Sequence, residues 1–321
     1  MTGHIVVGID ATGSADDALD WATTEAATRG CPLRLVHAFL PPLPADPYGI
    51  VPALGGIPQV WADAEHVLAE AEDRARSVAR DIRVSTRLVQ ATAGPALLDE
   101  ARDACLLVVG SRGLHGPRSW FSRSISSQVT ARASCPVVVI RPRHGMSDPG
   151  WSPPRVVVGV DAPGSCTPAV GFAFQAARQR GIPLVAVHAW TPDAPADLEA
   201  ISAPVGQTEV LARQALQRAL DRWQPEFPDV AVHAVLVRGS PARALALHSR
   251  GAALLVVGTR GRGHVRDRLL GSAGTTVLRH FHSPLAIVRQ DGARTAQSHP
   301  VRGRDTSEGR RIVPAIRRWL A

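Results

Sequence analysis

Residues 258–264 read Gly258-Thr259-Arg260-Gly261-Arg262-Gly263-His264, and Gly271-Ser272-Ala273 follow shortly after. An apolar run at 254–257 precedes them, so these glycines leave the carboxyl end of a strand, and a helix is expected to begin near Ser272. Glycine lets a backbone turn tightly and approach another group with no Cβ in the way. Successive N–H groups in such a loop can face one anion. At a helix start, the free N–H groups and the helix dipole favour negative charge. Ser272 would add a hydroxyl donor, and Arg260 and Arg262 positive charge. The chemistry on offer is recognition of a phosphate group. A plain tight turn followed by a serine helix cap would use the same residues.

A second segment, Gly110-Ser111-Arg112-Gly113, follows the apolar run 105–109 in the same manner. Where 258–273 has Gly271-Ser272, this segment has Arg123-Ser124. Arg123 either blocks a close approach of backbone to phosphate or replaces it with a charged donor fork. Pro117 stiffens the loop between, so the later segment is the better candidate. Asp10 and Asp161 each end an apolar strand. Each either helps to start the next helix or bonds a ligand. Better helix caps stand nearby, Ser14 with Asp17 and Thr167 with Pro168 at the first helical position. His37 and His188 end second strands and read as structural, since no Cys or His stands at metal-ligand spacing with them. Cys31, Cys105, Cys135 and Cys166 are scattered without a CxxC pair and read as small buried residues of a reduced compartment.

All 36 basic residues are arginine. Without lysine there is no Schiff-base chemistry and no Walker A lysine. The formal charge is +8, yet aromatic residues make up only 4% and no stacking motif appears, so nucleic acid is not the expected partner. No apolar run reaches the ~18 residues of a membrane span. The start of the chain has no basic segment or cleavage site of a secretory signal, so a cytoplasmic location is expected.

The elements that would hold these residues occur twice. Ile5-Val6-Val7-Gly8-Ile9-Asp10 returns as Val156-Val157-Val158-Gly159-Val160-Asp161, and Val36-His37-Ala38 as Val187-His188-Ala189. Leu106-Leu107-Val108-Val109-Gly110 returns as Leu254-Leu255-Val256-Val257-Gly258, and Cys135-Pro136-Val137 as Ser283-Pro284-Leu285. Repeated blocks in one order mean two copies of one fold. In the first copy the periodicity predicts strands at 4–10, 33–38, 83–90, 105–109 and 136–141. Helices are predicted at 15–29, 61–80, 96–103 and near 124–133, with a Pro-rich loop at 40–58. Short continuous apolar strands alternating with helices give two tandem α/β domains, each a doubly wound parallel sheet of Rossmann-like type. Domain 1 is placed at 1–143 and domain 2 at 154–291, with a Pro/Gly-rich linker between and an Arg-rich, disordered tail at 292–321. In such sheets a ligand sits beyond the carboxyl ends of the strands, where strand order reverses.

The spacing Gly258-x2-Gly261-x9-Gly271-Ser272 resembles the G-x2-G-x9-G-S/T pattern of ATP-binding universal stress proteins. The opening Gly-Val-Asp, the Val-His-Ala and the Pro-led last strand belong to the same likeness, which covers both copies in the manner of the tandem actinobacterial type. The resemblance implies a fold like that of adenine-nucleotide α-hydrolases and an adenine nucleotide, ATP, in each domain. The adenosine would lie near Gly159, Asp161 and Ala189, with Gly8 and Asp10 at the matching places of the first copy. The phosphates, with Mg²⁺ as companion, would lie along Gly258–His264 and Gly271–Ala273, and in the first copy along Gly110, Ser111, Arg112, Gly113 and Ser124. It implies a nucleotide-dependent regulator in a stress or dormancy response, and a homodimer formed through a last strand. No catalytic residue or metal ligand is assigned. The alternatives are a slow adenine-nucleotide hydrolase, against which Asp10–Ser14 and Asp161–Ser165 lack a double glycine, and an interaction protein of the same fold without nucleotide.

Overall fold

The computed structural model describes residues 3–11, 15–40, 56–111, 125–141, 153–161, 167–190, 205–259, 281 and 283–289. The linker at 142–152 and the Arg-rich tail lie outside these residues, as do Ser14 and Cys166. The first copy runs β1 (His4–Ile9), α1 (Asp16–Arg29), β2 (Leu33–Phe39), α2 (Gly56–Val78), β3 (Val84–Gln90), α3 (Ala93–Glu100), β4 (Ala104–Gly110), α4 (Ile125–Arg132) and β5 (Val137–Ile140). The second runs β6 (Val156–Val160), α5 (Thr167–Arg180), β7 (Leu184–Trp190), α6 (Val205–Asp221), β8 (Val232–Arg238), α7 (Pro241–His248), β9 (Leu254–Thr259) and β10 (Leu285–Arg289).

Helix starts depart most from the sequence expectation. Helix α2 begins at Gly56, inside the expected Pro-rich loop, and α3 begins at Ala93 rather than 96. Pro58 and Pro95 each fall in a first turn, where no N–H has a helical acceptor to lose. Helix α1 is preceded by Ala15 with no side-chain cap hydrogen bond, and α5 opens at Thr167 itself, which puts Pro168 second. The C-terminus of α1 follows expectation. Gly30 takes a left-handed φ of 62°, and its N–H reaches back to the carbonyls of Ala26 and Ala27.

The strands form one sheet in the order β3-β2-β1-β4-β5-β10-β9-β6-β7-β8. All pairs within each copy are parallel. The join between copies, β5 with β10, is antiparallel, with Val138 opposite Ala286. Both last strands are therefore interior, and the pairing that the resemblance implies between two molecules is made within one chain.

Each face of the sheet carries a core that runs across the join. One contains Ile5, Leu35 and Leu106 beneath α1 and α2 with Val158, Phe174 and Leu254 beneath α5 and α6. The other contains Val6, Leu97 and Val129 with Leu245, Leu255 and Ile287, beneath α3, α4 and α7. Equivalent arginines stitch the join. Arg141 donates to the Phe281 carbonyl at 3.3 Å and lies 4.5 Å from that ring's centre. Arg289 donates to the Ala131 carbonyl near the end of α4. On the opposite face Glu25 binds both Arg29, at 2.5 Å, and Arg180, which occupies the repeat position of Arg29 in α5. Glu25 and Arg29 are almost fully buried. The repeat position of Glu25 is Ala176, so one carboxylate serves two guanidinium groups.

Glu100, at the end of α3, accepts from Arg34 of β2 at 2.8 Å and from Arg87 of β3 at 3.2 Å. Burial pushes its carboxyl up, but the bonds and charges of Arg34 and Arg87 outweigh it and hold the group below the usual carboxylate value. A depressed acid contributes stability that is full above its unfolded value and lost as pH falls through the folded one. Urea unfolding between about pH 5 and about pH 3 should therefore show a smaller loss of stability in Glu100→Gln than in the parent. At neutral pH, Glu25→Gln leaves two buried guanidinium groups without a counter-ion. It should lower the unfolding free energy by about 3–5 kcal/mol in the same measurement.

Candidate functional site

Strand order reverses between β1 and β4 in the first copy and between β6 and β9 in the second, since each copy runs outward from its first strand in both directions. Parallel pairing brings Asp10, which follows β1, to the same sheet edge as Gly110 and Ser111 at the end of β4. Asp161, after β6, shares an edge with Gly258 and Thr259, which close β9. Because β5 and β10 run antiparallel, these two edges lie on opposite sides of the sheet.

Each switch point is held by residues not singled out as ligand contacts from the sequence. Nδ1 of His37 lies 2.9 Å from the carbonyl of Ile9, and Nδ1 of His188 lies 2.8 Å from that of Val160. A carbonyl only accepts, so Nδ1 carries the proton and donates. The two imidazoles fasten the last carbonyls of β1 and β6, immediately before Asp10 and Asp161. This gives the histidines the structural role expected of them. Gly8 and Gly159 are held on one face by leucines. A Cβ on Gly8 would stand 3.0 Å from Leu97 Cδ1, and one on Gly159 would stand 3.1 Å from Leu245 Cδ1. These glycines thus admit α3 and α7 close to the sheet, a packing duty that the sequence reading, with its eye on a ligand, did not include.

At the end of β4 the Ser126 hydroxyl donates to the Gly110 carbonyl at 3.2 Å. This bond ties the first turn of α4 to the strand from which the first glycine segment departs. The Ser111 N–H donates to the Ile140 carbonyl at 2.7 Å, which leaves its side chain at the strand end. The Ser111 hydroxyl is buried and has no hydrogen-bond partner among the described residues. Buried hydroxyls nearly always have one. Ala189 lies on β7 and is half-buried. Arg112, Gly113, Ser124, Arg260–His264 and Gly271–Ala273 lie outside the described residues. Among the described residues no group of three or more His, Cys, Asp or Glu could hold a metal ion, and no helix is long and apolar enough to cross a membrane.

The family model for the universal stress protein family matches residues 1–141 and 154–289, which are the two copies. The chain belongs to the universal stress protein family. A universal stress protein of Mycobacterium tuberculosis (strain H37Rv) is 36% identical over 291 residues, covering 89% of this chain and 96% of the relative. One of Mycobacterium bovis is 35% identical over 301 residues, covering 89% and 97%. Among solved structures, a universal stress protein from Archaeoglobus fulgidus superposes with a TM-score of 0.66 at 17% identity, covering 89% of this chain and 98% of that one. The tandem mixed α/β fold with a mostly parallel sheet is thus a family property that this chain shares.

The orphaned hydroxyl of this universal stress protein has a measurable consequence. An unsatisfied buried hydroxyl costs roughly 1–3 kcal/mol. Ser111→Ala should leave the unliganded protein as stable as the parent or more so, by thermal unfolding, although most buried substitutions destabilise.

Proposed function

We propose that this universal stress protein binds ATP, with Mg²⁺ on the phosphates, at the carboxyl edge of each half of the sheet. On this reading it acts in the cytoplasm as a nucleotide-dependent regulator of a stress or dormancy response and does not turn the nucleotide over. The observation that carries the reading is the buried Ser111 hydroxyl at the β1/β4 reversal, which has no partner among the described residues and stands on the second residue of a glycine segment. A polar atom left in this state at a switch point suits an acceptor that arrives with a ligand. The sequence pattern of the second copy supports the same use of its edge, with Gly258, Gly261, Gly271 and Ser272 at phosphate-cradle spacing.

In this reading Asp161, the backbone at Gly159 and Ala189 hold the nucleoside. The amides of Gly258–His264 and Gly271–Ala273, with Arg260 and Arg262, hold the phosphates. Asp10, Gly110 and Ser111 do the corresponding work in the first copy, with Arg123 in place of the glycine. On this reading nucleotide occupancy biases the surface that a partner reads. A homodimer must use some surface other than β5 and β10, and sedimentation velocity at rising concentration reads it.

Calorimetry with ATP and MgCl₂ on the full chain is expected to give saturable binding. Gly271→Glu brings a carboxylate to the expected phosphate position and should weaken the second site on the order of tenfold or more, as like charges a few ångström apart require. Ser111→Ala should weaken the first site by about tenfold, the worth of one hydrogen bond to a charged acceptor. A folded protein that shows no heat with millimolar adenine nucleotide, and releases none on denaturation after purification, overturns the proposal. Stoichiometric release of phosphate or pyrophosphate would instead support the hydrolase alternative.

A further inference from the structure

The two candidate sites lie on opposite edges of the sheet, yet one arginine from each copy reaches into the other. In the first copy the Ser111 N–H donates to the Ile140 carbonyl at 2.7 Å, so the strand end from which the glycine segment departs is bonded to the end of β5. The next residue is Arg141. Its guanidinium crosses the join, donates to the Phe281 carbonyl at 3.3 Å and lies 4.5 Å from the centre of that ring. In sequence, Phe281 closes the stretch that Gly271-Ser272 opens. In the second copy the register sets Arg289 opposite Thr259, the strand end from which the other glycine segment departs. Arg289 crosses the join the other way and donates to the Ala131 carbonyl in the last turn of α4.

Helix α4 thereby has one end at each edge. Its first turn is fastened to the first site by the Ser126 hydroxyl, which donates to the Gly110 carbonyl. Its last turn is fastened to the edge of the second site by Arg289. Between these ends Val129 is fully buried. A close-packed interior transmits strain instead of absorbing it. The span is short, since a helix of this length rises only ~12 Å.

We infer that Arg141 and Arg289 are positioning residues that couple the two nucleotide sites, so that a nucleotide in either copy tightens binding in the other. The inference rests on the ATP reading above. A ligand on Gly110 and Ser111 fixes the strand end beside Arg141, and a ligand on Gly258 and Thr259 fixes the strand end beside Arg289. Each arginine then holds a carbonyl behind the phosphate segment of the other copy. The second nucleotide meets a segment end that is already held and loses less freedom on binding. Coupling between binding sites is reciprocal, so whichever copy fills first favours the other. Neither arginine has to touch the nucleotide for this.

The full-length chain is labelled with 8-azido-ATP and MgCl₂ at rising concentration, irradiated and digested, and the labelled peptides of each copy are quantified by mass spectrometry. Arg141→Met combined with Arg289→Met keeps an apolar stem at each place and removes both donors. In that variant the midpoint of the copy that fills later should rise by about fivefold or more, the size of an ordinary coupling. The copy that fills earlier should stay within about twofold of the parent. When Gly271→Glu blocks the second site, the same two substitutions should leave the first copy's midpoint within about twofold, because no partner site remains to couple. Circular dichroism checks that each variant is folded. Arg289→Met alone, which keeps the Arg141 bond, is read in the same way if the double variant does not fold. Without any nucleotide, the α4 amides of Arg289→Met should exchange hydrogen faster than those of the parent. The inference is overturned if both midpoints ignore the arginine substitutions or if α4 exchange is unchanged. It is equally overturned if those substitutions shift the first copy as far with the second site blocked as with it open. Labelling of neither copy overturns the ATP reading itself, and the coupling with it.

Discussion

The antiparallel pairing of β5 with β10 is the contact on which the rest of the architecture rests. A five-stranded parallel sheet that ended at β5 or β10 would present a row of unpaired N–H and C=O groups, an edge that proteins must cover or lose to aggregation. Joining the two edges satisfies both rows and lets each core continue from one copy into the next. Arg141 and Arg289 then cross the join to reach carbonyls of the other copy, and Glu25 gathers Arg29 and Arg180 on the opposite face. The same pairing fixes where function can reside. With the halves antiparallel, the two carboxyl edges point in opposite directions, and anything that couples them must pass through the join.

The two copies share packing more faithfully than chemistry. Positions that face the sheet keep apolar side chains of similar volume, because a close-packed interior tolerates little else. Differences concentrate where a side chain can do more than fill space. Glu25 stands against Ala176, Cys31 and Cys105 stand against Ile182 and Ala253, and Arg123 stands against Gly271. The first copy thus carries an ion-pair hub and two cysteines in places where the second has Ile182 and Ala253, whereas the second keeps the full glycine spacing.

The candidate sites are built on rigid supports, as ligand sites require. The end of β1 is fixed by His37 from the neighbouring strand and by Leu97 lying where Gly8 has no side chain. The end of β4 is fixed by Ser126 from α4 and by the amide bond of Ser111 to Ile140. None of these four supports is itself a glycine-motif residue except Ser111. They set the positions from which the motif segments depart.

The sequence by itself determined the repeat, the alternation of strand and helix, and the placing of Asp10, Gly110, Asp161 and Gly258 at strand ends. Those features follow from short-range periodicity and from residue types that act within a few positions of themselves. Helix starts were less legible, because Pro58 and Pro95 read as breakers until one knows that they occupy first turns. The join of β5 to β10, the three-residue ion hub and the leucines against Gly8 and Gly159 were decided only by the tertiary structure. So was the bulge that leaves Cys105 opposite no residue of β1. Each depends on which strands become neighbours and in what register, and a single bulge at Cys105 changes the face a side chain meets. No local pattern encodes that, since the free energy of such contacts arises only when distant segments are already packed together.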